Sequence, residues 1–260
     1  MRLSYRFEGD EIEAVRHIVA QKRVSGRRFV MRRIQHNIEG AVPHNDDDSL
    51  WMTHMMCLLT TQQRSGPDSA INTFLERKPF PLSLDACRQD DALQEHALRV
   101  LTEAKGIRRT NKIASAVHTN LRLLERGEWD NLRHWRDTLA SQRALPPDPA
   151  HRALEERAAD YLNHFHEFGP KQARNFWQTL GLTRYTFVLD SRVLRWLRQH
   201  LKLDAGLLTP QGLGDKDYYE FVSTILFDLC QQADVLPCLL DAAVFDSFDE
   251  DTEWPAEFAW

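Results

Sequence analysis

Two residues of this sequence, Lys171 and Asp190, could do chemistry together on an electrophilic carbon. Lys171 directly follows Gly169 and Pro170, and Asp190 lies nineteen residues further along the chain. A lysine amine that has lost its proton is a nucleophile and forms Schiff bases. An ionised carboxylate in a dry cleft stabilises positive charge that develops beside it. The pair is therefore a candidate catalytic site, provided that the fold brings the two side chains together.

The sequence around the pair predicts a helix-hairpin-helix over residues 153 to 181. Apolar residues at helical spacing form its first half, and Pro170 can begin the second helix because a first-turn proline loses no hydrogen bond. Gly181 is a typical residue just after a helix end. The next eight residues can span up to ~26 Å, enough to run back along a helix of about 16 Å. Asp190 can then cap a third helix beside Lys171.

Composition is that of a soluble globular protein. The chain has 260 residues, of which 42% are hydrophobic and 27% are charged, enough for one large domain or two lobes around a cleft. No apolar run is long enough to span a bilayer, and the N-terminus has no signal-peptide core. We therefore expect a cytoplasmic protein without membrane contact, associated with the nucleoid if it is bacterial.

The four cysteines are too widely spaced for a CxxC pair, so we expect reduced thiols, no metal site and no cofactor.

The net charge of −5 hides an uneven distribution of charge. Residues 241 to 260 contain seven acidic and no basic residues, so the first 240 residues alone carry a net charge of +2. Basic residues cluster in residues 1 to 36 and around Arg192, where they can bind phosphates. The acidic segment 246 to 260 could solubilise the chain, bind a partner or screen a nucleic-acid cleft, and these alternatives stay open.

Helical periodicity runs through most of the chain, without β alternation or internal repeats, so the sequence predicts an all-α fold. We interpret residues 1 to 45 as a basic extension that packs on the body, residues 46 to 245 as the body, and residues 246 to 260 as an acidic tail. The proline-rich segment 144 to 150 is extended in character. It is the predicted crossing between two lobes.

Three separated stretches resemble one protein family in the same order. Residues 58 to 62, Leu-Leu-Thr-Thr-Gln, are similar to the Leu-Leu-Ser-x-Gln helix end of the helix-hairpin-helix-GPD DNA glycosylases, which include endonuclease III and the 8-oxoguanine DNA glycosylases. Residues 106 to 114 are similar to the family's Gly-hydrophobic-x-x-x-Lys-Ala segment. Residues 168 to 173, followed by Asp190, resemble its hairpin lysine and downstream aspartate. Together the matches extend over residues 50 to 245.

The resemblance implies a two-lobed helical fold, without an iron-sulfur cluster, that binds double-stranded DNA containing a damaged or modified base as a monomer. It implies that Gln62 wedges into the duplex where a flipped base leaves, although neighbouring Gln63 is an alternative. The remaining residues expected at the DNA backbone are Lys112, Gly169 and Arg192.

The implied chemistry is excision of a base during base excision repair. As the base leaves, positive charge develops on the deoxyribose, and Asp190 would stabilise that charge. Lys171 would attack the anomeric carbon and form a Schiff base, which also permits strand cleavage by β-elimination. We expect a DNA glycosylase with AP-lyase activity, with an oxidised purine such as 8-oxoguanine as the first candidate. The alternatives are a monofunctional glycosylase acting on modified bases of foreign DNA and a catalytically silent DNA-binding module.

Two features bear on the pocket and on the hairpin. Trp51 and Phe221 could stack on an extruded base, and Asn175, one helical turn beyond Lys171, could reach its edge. Glu167 occupies the first position of the family's Gly-x-Gly hairpin, where a carboxylate would repel a phosphate. The family's four cluster cysteines are absent, and residues 235 to 245 are similar to the cluster-free C-terminal helix of archaeal-type 8-oxoguanine glycosylases.

Overall fold

A computed structural model describes residues 6–63, 66–202 and 208–248 of the chain. These ranges contain helices, turns and loops and no β-strand, which confirms the all-α prediction. The α-helices in chain order are α1 (Gly9–Val24), α2 (Arg28–Arg33), α3 (Asp47–Leu59), α4 (Ala70–Leu75), α5 (Leu84–Arg88), α6 (Leu93–Glu103), α7 (Thr110–Leu123), α8 (Trp129–Arg143), α9 (Arg152–Leu162), α10 (Pro170–Thr179), α11 (Ser191–His200), α12 (Lys216–Ala233) and α13 (Pro237–Ser247). None of these helices is long and apolar enough to cross a membrane.

The helices enclose two hydrophobic cores. The first core comprises buried residues between 50 and 182, with α3 at its centre and α4 to α10 around it. The second core combines α1 and α2 with α11, α12 and α13. The chain therefore passes between the cores at residues 35 to 49 and 183 to 186. Segment 144 to 150, the predicted crossing, instead joins α8 to α9, because both of these helices bury their apolar faces in the first core.

The hairpin forms for the local reasons that the sequence indicates. Pro170 is the first residue of α10, with Gly169 as its N-cap, and Gly181 follows the helix with a φ of +74°. A Cβ atom at Gly181 would lie 2.8 Å from the carbonyl oxygen of His36, so no larger residue fits there. Asp190 caps α11 as predicted.

The N-terminal segment braces the end of α10. A π-helical turn, Ile34–Glu39, follows α2 and carries the buried Asn37. The Asn37 amide donates hydrogen bonds to the carbonyl oxygens of Gln178 (2.9 Å) and Thr183 (3.0 Å). His36 makes a further bond of 2.8 Å to the Thr179 carbonyl. The first 45 residues therefore help to position the helix that carries Lys171.

A buried carboxyl group directs the chain from α10 back to Asp190. Glu155 on α9 accepts hydrogen bonds from the backbone N–H groups of Arg184 (2.9 Å), Tyr185 (2.7 Å) and Thr186 (3.1 Å). Burial raises the pKa of Glu155 to about 8, although these N–H groups oppose the shift. The three bonds satisfy backbone donors that could not otherwise be buried.

The two ends of the described chain meet at Asp246. Its carboxylate, 1% exposed, lies 2.8 Å from Arg27 Nε and 3.1 Å from Lys22 Nζ. Asp241 is also buried, so two of the seven acidic residues of the C-terminal segment belong to the second core. Residues 249 to 260, which make up most of the predicted acidic tail, lie outside the described residues.

Candidate active site

Lys171 and Asp190 line the same cavity. Lys171 projects from the first turn of α10, whose position the first core sets, and Asp190 begins α11 in the second core. The cavity thus lies at the seam between the cores, and its volume is about 700 Å³ including the open mouth.

Both carboxylate oxygens of Asp190 accept hydrogen bonds from residues at the start of α11. Oδ1 accepts the backbone N–H groups of Arg192 (2.8 Å) and Val193 (3.2 Å), and Oδ2 accepts the Arg192 Nε–H at 2.9 Å. Burial alone would raise the pKa of Asp190, but the charges of Arg192 and Lys171 and these hydrogen bonds lower it overall. Asp190 is therefore ionised at neutral pH.

Lys171 differs from Asp190 because its amine has no hydrogen-bond or ion-pair partner in the part of the chain that the structure describes. Burial lowers its pKa, and the neighbouring Arg192 charge acts in the same direction, while Asp190 opposes them. The net direction is downward. A lowered pKa increases the fraction of neutral amine, which is the nucleophilic form.

A second acid, Asp241 on α13, also lines the cavity. It is 7% exposed, and among the described residues its carboxyl group has no hydrogen-bond or ion-pair partner. Burial raises the pKa of Asp241 to about 7, with Arg33 opposing the shift and Asp190 adding to it. From the sequence, Asp241 was counted only as part of the acidic segment and was not predicted as a site residue. The available signal was a single acid in the otherwise apolar stretch of residues 235 to 245, one turn before Phe245.

The aromatic wall of the cavity consists of Phe29 and Phe245. Their rings stack with centroids 4.7 Å apart. Trp51, a predicted pocket residue, instead lies in the first core, where its indole N–H bonds to the Leu82 carbonyl (2.9 Å). Phe221, the second predicted aromatic residue, packs against the second core outside the cavity.

The cavity has polar groups on the side of α10. Asn175 lines it, as the sequence predicts, and its amide contacts Cys57 Sγ at 3.7 Å. Gln178 lies one turn further along and was not predicted. Its Nε2 donates to the Thr186 carbonyl (3.2 Å), while its buried Oε1 has no hydrogen-bond partner among the described residues. The full set of lining residues is Phe29, Arg33, Met56, Thr60, Lys171, Asn175, Gln178, Thr179, Val188, Asp190, Arg192, Val193, Asp241 and Phe245.

A larger cleft adjoins the cavity and shares Lys171, Asp190 and Arg192 with it. Gln62 lines this cleft, is exposed and has a left-handed backbone with φ of +57°. Gln63 is held within the protein, because its amide donates to the Leu59 carbonyl (2.5 Å) and accepts the Arg108 N–H (2.8 Å). The geometry therefore favours Gln62 over Gln63 as the residue that can enter a duplex.

The hairpin turn contains an ion pair at the position where the family has glycine. Glu167 has a left-handed φ of +63°, the region that glycine adopts most easily. Its carboxylate pairs with Arg109, which precedes α7 and is itself left-handed (φ +62°). Gly169 lines the cleft beside this pair, whereas Lys112 is exposed on α7 and lines neither the cleft nor the cavity.

A buried amide fixes the other side of the turn. Asn120 of α7 accepts the His166 N–H at 2.8 Å and donates to the His166 carbonyl at 3.0 Å. It also donates to His54 Nε2 at 2.9 Å, and burial lowers the pKa of His54 to about 3. His54 is thus a neutral acceptor. The hairpin is held by α3 and α7 together.

Within the described residues, no group of three or more His, Cys, Asp or Glu side chains could hold a metal ion. All four cysteines are buried free thiols. Burial raises the pKa of Cys57 to about 12, although it lies near Lys171, so its thiol is protonated and unreactive.

No protein-family model and no curated protein matches the sequence. The structure, however, is similar to two solved 8-oxoguanine DNA glycosylases. The enzyme from Methanocaldococcus jannaschii has a TM-score of 0.63 and 14% sequence identity, over 94% of this chain and 95% of that one. The enzyme from Thermotoga maritima has a TM-score of 0.61 and 18% identity, over 94% and 100%. The chain therefore has the fold of these glycosylases, which confirms the fold that the sequence resemblance implied.

Proposed function

We propose that this protein is a DNA glycosylase that extrudes one base from duplex DNA into the cavity and cuts its glycosidic bond. The observation that carries the proposal is the pairing of an unpartnered lysine amine, Lys171, with an ionised carboxylate, Asp190, in one cavity. The adjoining cleft, with Gln62 at its edge, provides the path by which a base enters. The shared fold supports the proposal but does not by itself specify a reaction.

In the proposed reaction, the neutral amine of Lys171 attacks the C1′ atom of the deoxyribose. The bond between C1′ and the base nitrogen breaks, and its electron pair leaves with the base, which takes up a proton. Asp190 stabilises the positive charge on the sugar during this step. Opening of the sugar ring gives a Schiff base with Lys171, and β-elimination of the 3′ phosphate from it gives AP-lyase activity.

The charge of the cavity favours a neutral base as substrate. Its charged lining residues are Arg33, Lys171 and Arg192 against Asp190 and Asp241. With Lys171 in the neutral form that the reaction requires, the balance is zero when both acids are ionised, and it becomes positive because burial keeps part of Asp241 neutral at pH 7. A cationic alkylated base would be repelled there, whereas a neutral base that leaves as an anion would be stabilised. We therefore favour an oxidised purine such as 8-oxoguanine over an alkylated one.

The uncharged groups of the cavity fit the same class of base. A protonated Asp241 offers one O–H donor and one acceptor side by side, and Asn175 and Gln178 add amide groups. Such a set complements an edge on which an N–H group and a carbonyl oxygen are adjacent. 8-Oxoguanine has this edge on both rings, and the Phe245 ring lies one helical turn from Asp241 to stack on the base.

Borohydride trapping tests the proposal directly. The protein is incubated with duplexes that contain 8-oxoguanine, uracil, 3-methyladenine or no modification, and sodium borohydride then reduces any Schiff base to a stable adduct. We expect an adduct with the 8-oxoguanine duplex that is absent in Lys171→Gln. Base release without an adduct would support a monofunctional glycosylase instead. DNA binding with neither release nor adduct on a broad panel of modified bases, including those of phage DNA, would leave a silent binding module.

A further inference from the structure

Arg192 connects the catalytic carboxylate to the aromatic wall of the cavity. Its Nε and Nη2 atoms both lie 2.9 Å from Asp190 Oδ2, a two-pronged contact. The same guanidinium lies over the Phe245 ring, with Cζ only 3.7 Å from the ring centroid. One side chain therefore contacts both the group that would stabilise the sugar cation and the ring on which a base would stack.

Both faces of the Phe245 ring are occupied in this structure. Phe29 stacks on it at a centroid distance of 4.7 Å and an interplanar angle of 21°. A phenyl ring and a guanidinium at these distances cannot share one face without overlap, so Arg192 takes the other face. A flat base cannot stack on Phe245 until one of the two groups moves.

Arg192 is the group that can move more easily. Its side chain is 30% exposed, and it lines the open cleft as well as the cavity. Phe29 belongs to the wall formed by the N-terminal segment, where it packs against the second core. A guanidinium that leaves Phe245 toward the cleft reaches the side on which DNA phosphates would lie, and these attract it.

We propose that Arg192 is a positioning residue which an extruded base displaces from Phe245, and that this displacement releases Asp190 Oδ2 toward the sugar. The inference rests on the proposed glycosylase function. In the empty site, Arg192 holds the carboxylate and covers the ring. A base that binds well enough to take the ring face breaks the two-pronged contact, while the backbone N–H groups of residues 192 and 193 keep Oδ1 in place.

This exchange makes the reactivity of Asp190 depend on the base. A carboxylate oxygen that already accepts two N–H groups from a guanidinium is less available to a developing cation than a released one. A base that enters only briefly leaves the guanidinium in position, so the sugar cation is poorly stabilised. The arginine therefore contributes to selectivity without contacting the base edge.

The chain provides a matched control on the same helix. Arg195 of α11 also lies over a phenyl ring, that of Phe248, with Cζ at 5.2 Å from the centroid. It is exposed and does not line the cavity or the cleft. Arg192→Ala and Arg195→Ala thus remove the same group from the same helix, one inside and one outside the cavity.

The first experiment observes the displacement without requiring catalysis. NMR spectra are recorded on full-length protein with ¹⁵N-labelled arginine, and the Arg192 Hε resonance is identified by its loss in Arg192→Ala. The ring current of Phe245 should shift this resonance upfield in the free protein. Saturation with a duplex containing 2′-fluoro-8-oxo-2′-deoxyguanosine, which resists excision, should remove the shift, and an undamaged duplex should not. An upfield shift that persists with the fluorinated duplex bound would overturn the proposal.

The second experiment measures selectivity and pH dependence. The ratio of single-turnover excision rates for a lesion and an undamaged base should fall about tenfold in Arg192→Ala, corresponding to ~1.4 kcal/mol, and stay unchanged in Arg195→Ala. The acidic limb of the pH profile should also move upward in Arg192→Ala, since Asp190 loses the guanidinium that lowers its pKa. An unchanged ratio would reject the displacement model. If wild-type protein excises no base, the glycosylase proposal fails, while the NMR result still decides whether a base displaces Arg192.

Discussion

The hairpin turn and the cavity lie at the same end of α10, but among the described residues the charged groups of the turn are paired and those of the cavity include unpaired ones. In the turn, the Glu167 carboxylate pairs with Arg109, and the Asn120 amide satisfies both backbone groups of His166. In the cavity, the Lys171 amine and the Asp241 carboxyl group have no such partner among the described residues. The turn is internally neutralised, whereas the cavity holds buried groups that only a ligand could satisfy.

The physical cost of the two arrangements differs accordingly. A paired charge in a half-buried turn fixes geometry at little cost. A buried ionisable group without a partner shifts its pKa toward the neutral form and destabilises the folded state when it is charged. Both cavity groups show that shift. Uncompensated groups of this kind concentrate where chemistry is done, so the contrast supports the proposed active site independently of any resemblance.

The largest effect should come from removing Asp190, the acid of the cavity whose pKa is lowered. Asp190→Asn should lower the single-turnover excision rate by about 10²–10³-fold, because an amide cannot stabilise the sugar cation as a carboxylate does. Asparagine is as good an N-cap as aspartate, so Tm should change little. Asp215→Asn, a matched change at the N-cap of α12, should leave excision unchanged. A rate for Asp190→Asn within threefold of wild type would contradict the assigned role.

The second test separates two neighbouring glutamines at the edge of the cleft. Gln62→Ala should lower lesion excision about tenfold, since the gap left by an extruded base is no longer filled and unstacking costs a few kcal/mol. Because Gln62 is exposed, Tm should stay the same. Gln63→Ala should instead lower Tm by about 3–6 °C through the loss of two internal hydrogen bonds. The opposite pattern, a stable Gln63→Ala with impaired excision, would make Gln63 the wedge.

The third test removes the ion pair between Glu167 and Arg109 in the hairpin turn. Glu167→Gln should strengthen binding to undamaged duplex about 3- to 10-fold at low salt, because it removes a negative charge beside the DNA and releases Arg109 to bind a phosphate. The slope of log K against log salt should become steeper by about one. Fluorescence anisotropy at several salt concentrations measures both quantities. Glu95→Gln, an exposed acid on α6, is the control, and equal changes in the two variants would show that only net charge matters.

The smallest effect concerns stability and comes from the cavity. The pKa of Asp241 is about 7 in the folded protein and lies at its ordinary value of 3.8 when unfolded. Between these two pH values the unfolded state releases its proton first, so the free energy of unfolding falls as pH rises from about 4 to 7. Asp241→Asn removes this loss.

Calorimetry over a range of pH checks this sign. The Tm of Asp241→Asn should match that of wild type at pH 4 and exceed it at pH 8 by about 2–4 °C for each kcal/mol recovered. Asp48→Asn, a change at an exposed acid in the first turn of α3, serves as the control and should show no such divergence. A lower Tm for Asp241→Asn than for wild type at pH 8 would mean that the buried group is stabilised as an ion.

Local signals were sufficient to predict the hairpin and the positions of Lys171 and Asp190. A proline at a helix start, a glycine after a helix end and an aspartate N-cap act within a few residues, so the sequence contains their full cause. At the start of α3 several acids adjoin, so local rules do not single out Asp46, the residue that caps the helix. Local rules therefore place the elements to within a turn.

The cavity wall could not be predicted in this way. Phe29 and Phe245 meet across more than two hundred residues of sequence, and no periodic pattern reports such a contact. Asp241 was not predicted as a cavity residue, because composition does not distinguish a buried acid from an exposed one. Trp51 illustrates the converse error, since an aromatic residue at helical spacing suits a core as well as a pocket. Contacts between distant segments decide these cases.

The ion pairs that join Asp246 to Lys22 and Arg27 have a consequence for the synthesis of the protein. They connect the first helices to α13, so the second core closes only when nearly the whole chain has left the ribosome. Until then Phe29 has no Phe245 to stack on, and the nascent chain carries Lys171 without the wall that α13 supplies. Contacts this distant in sequence form late and slowly. A partly synthesised chain therefore has no assembled cavity with which to react.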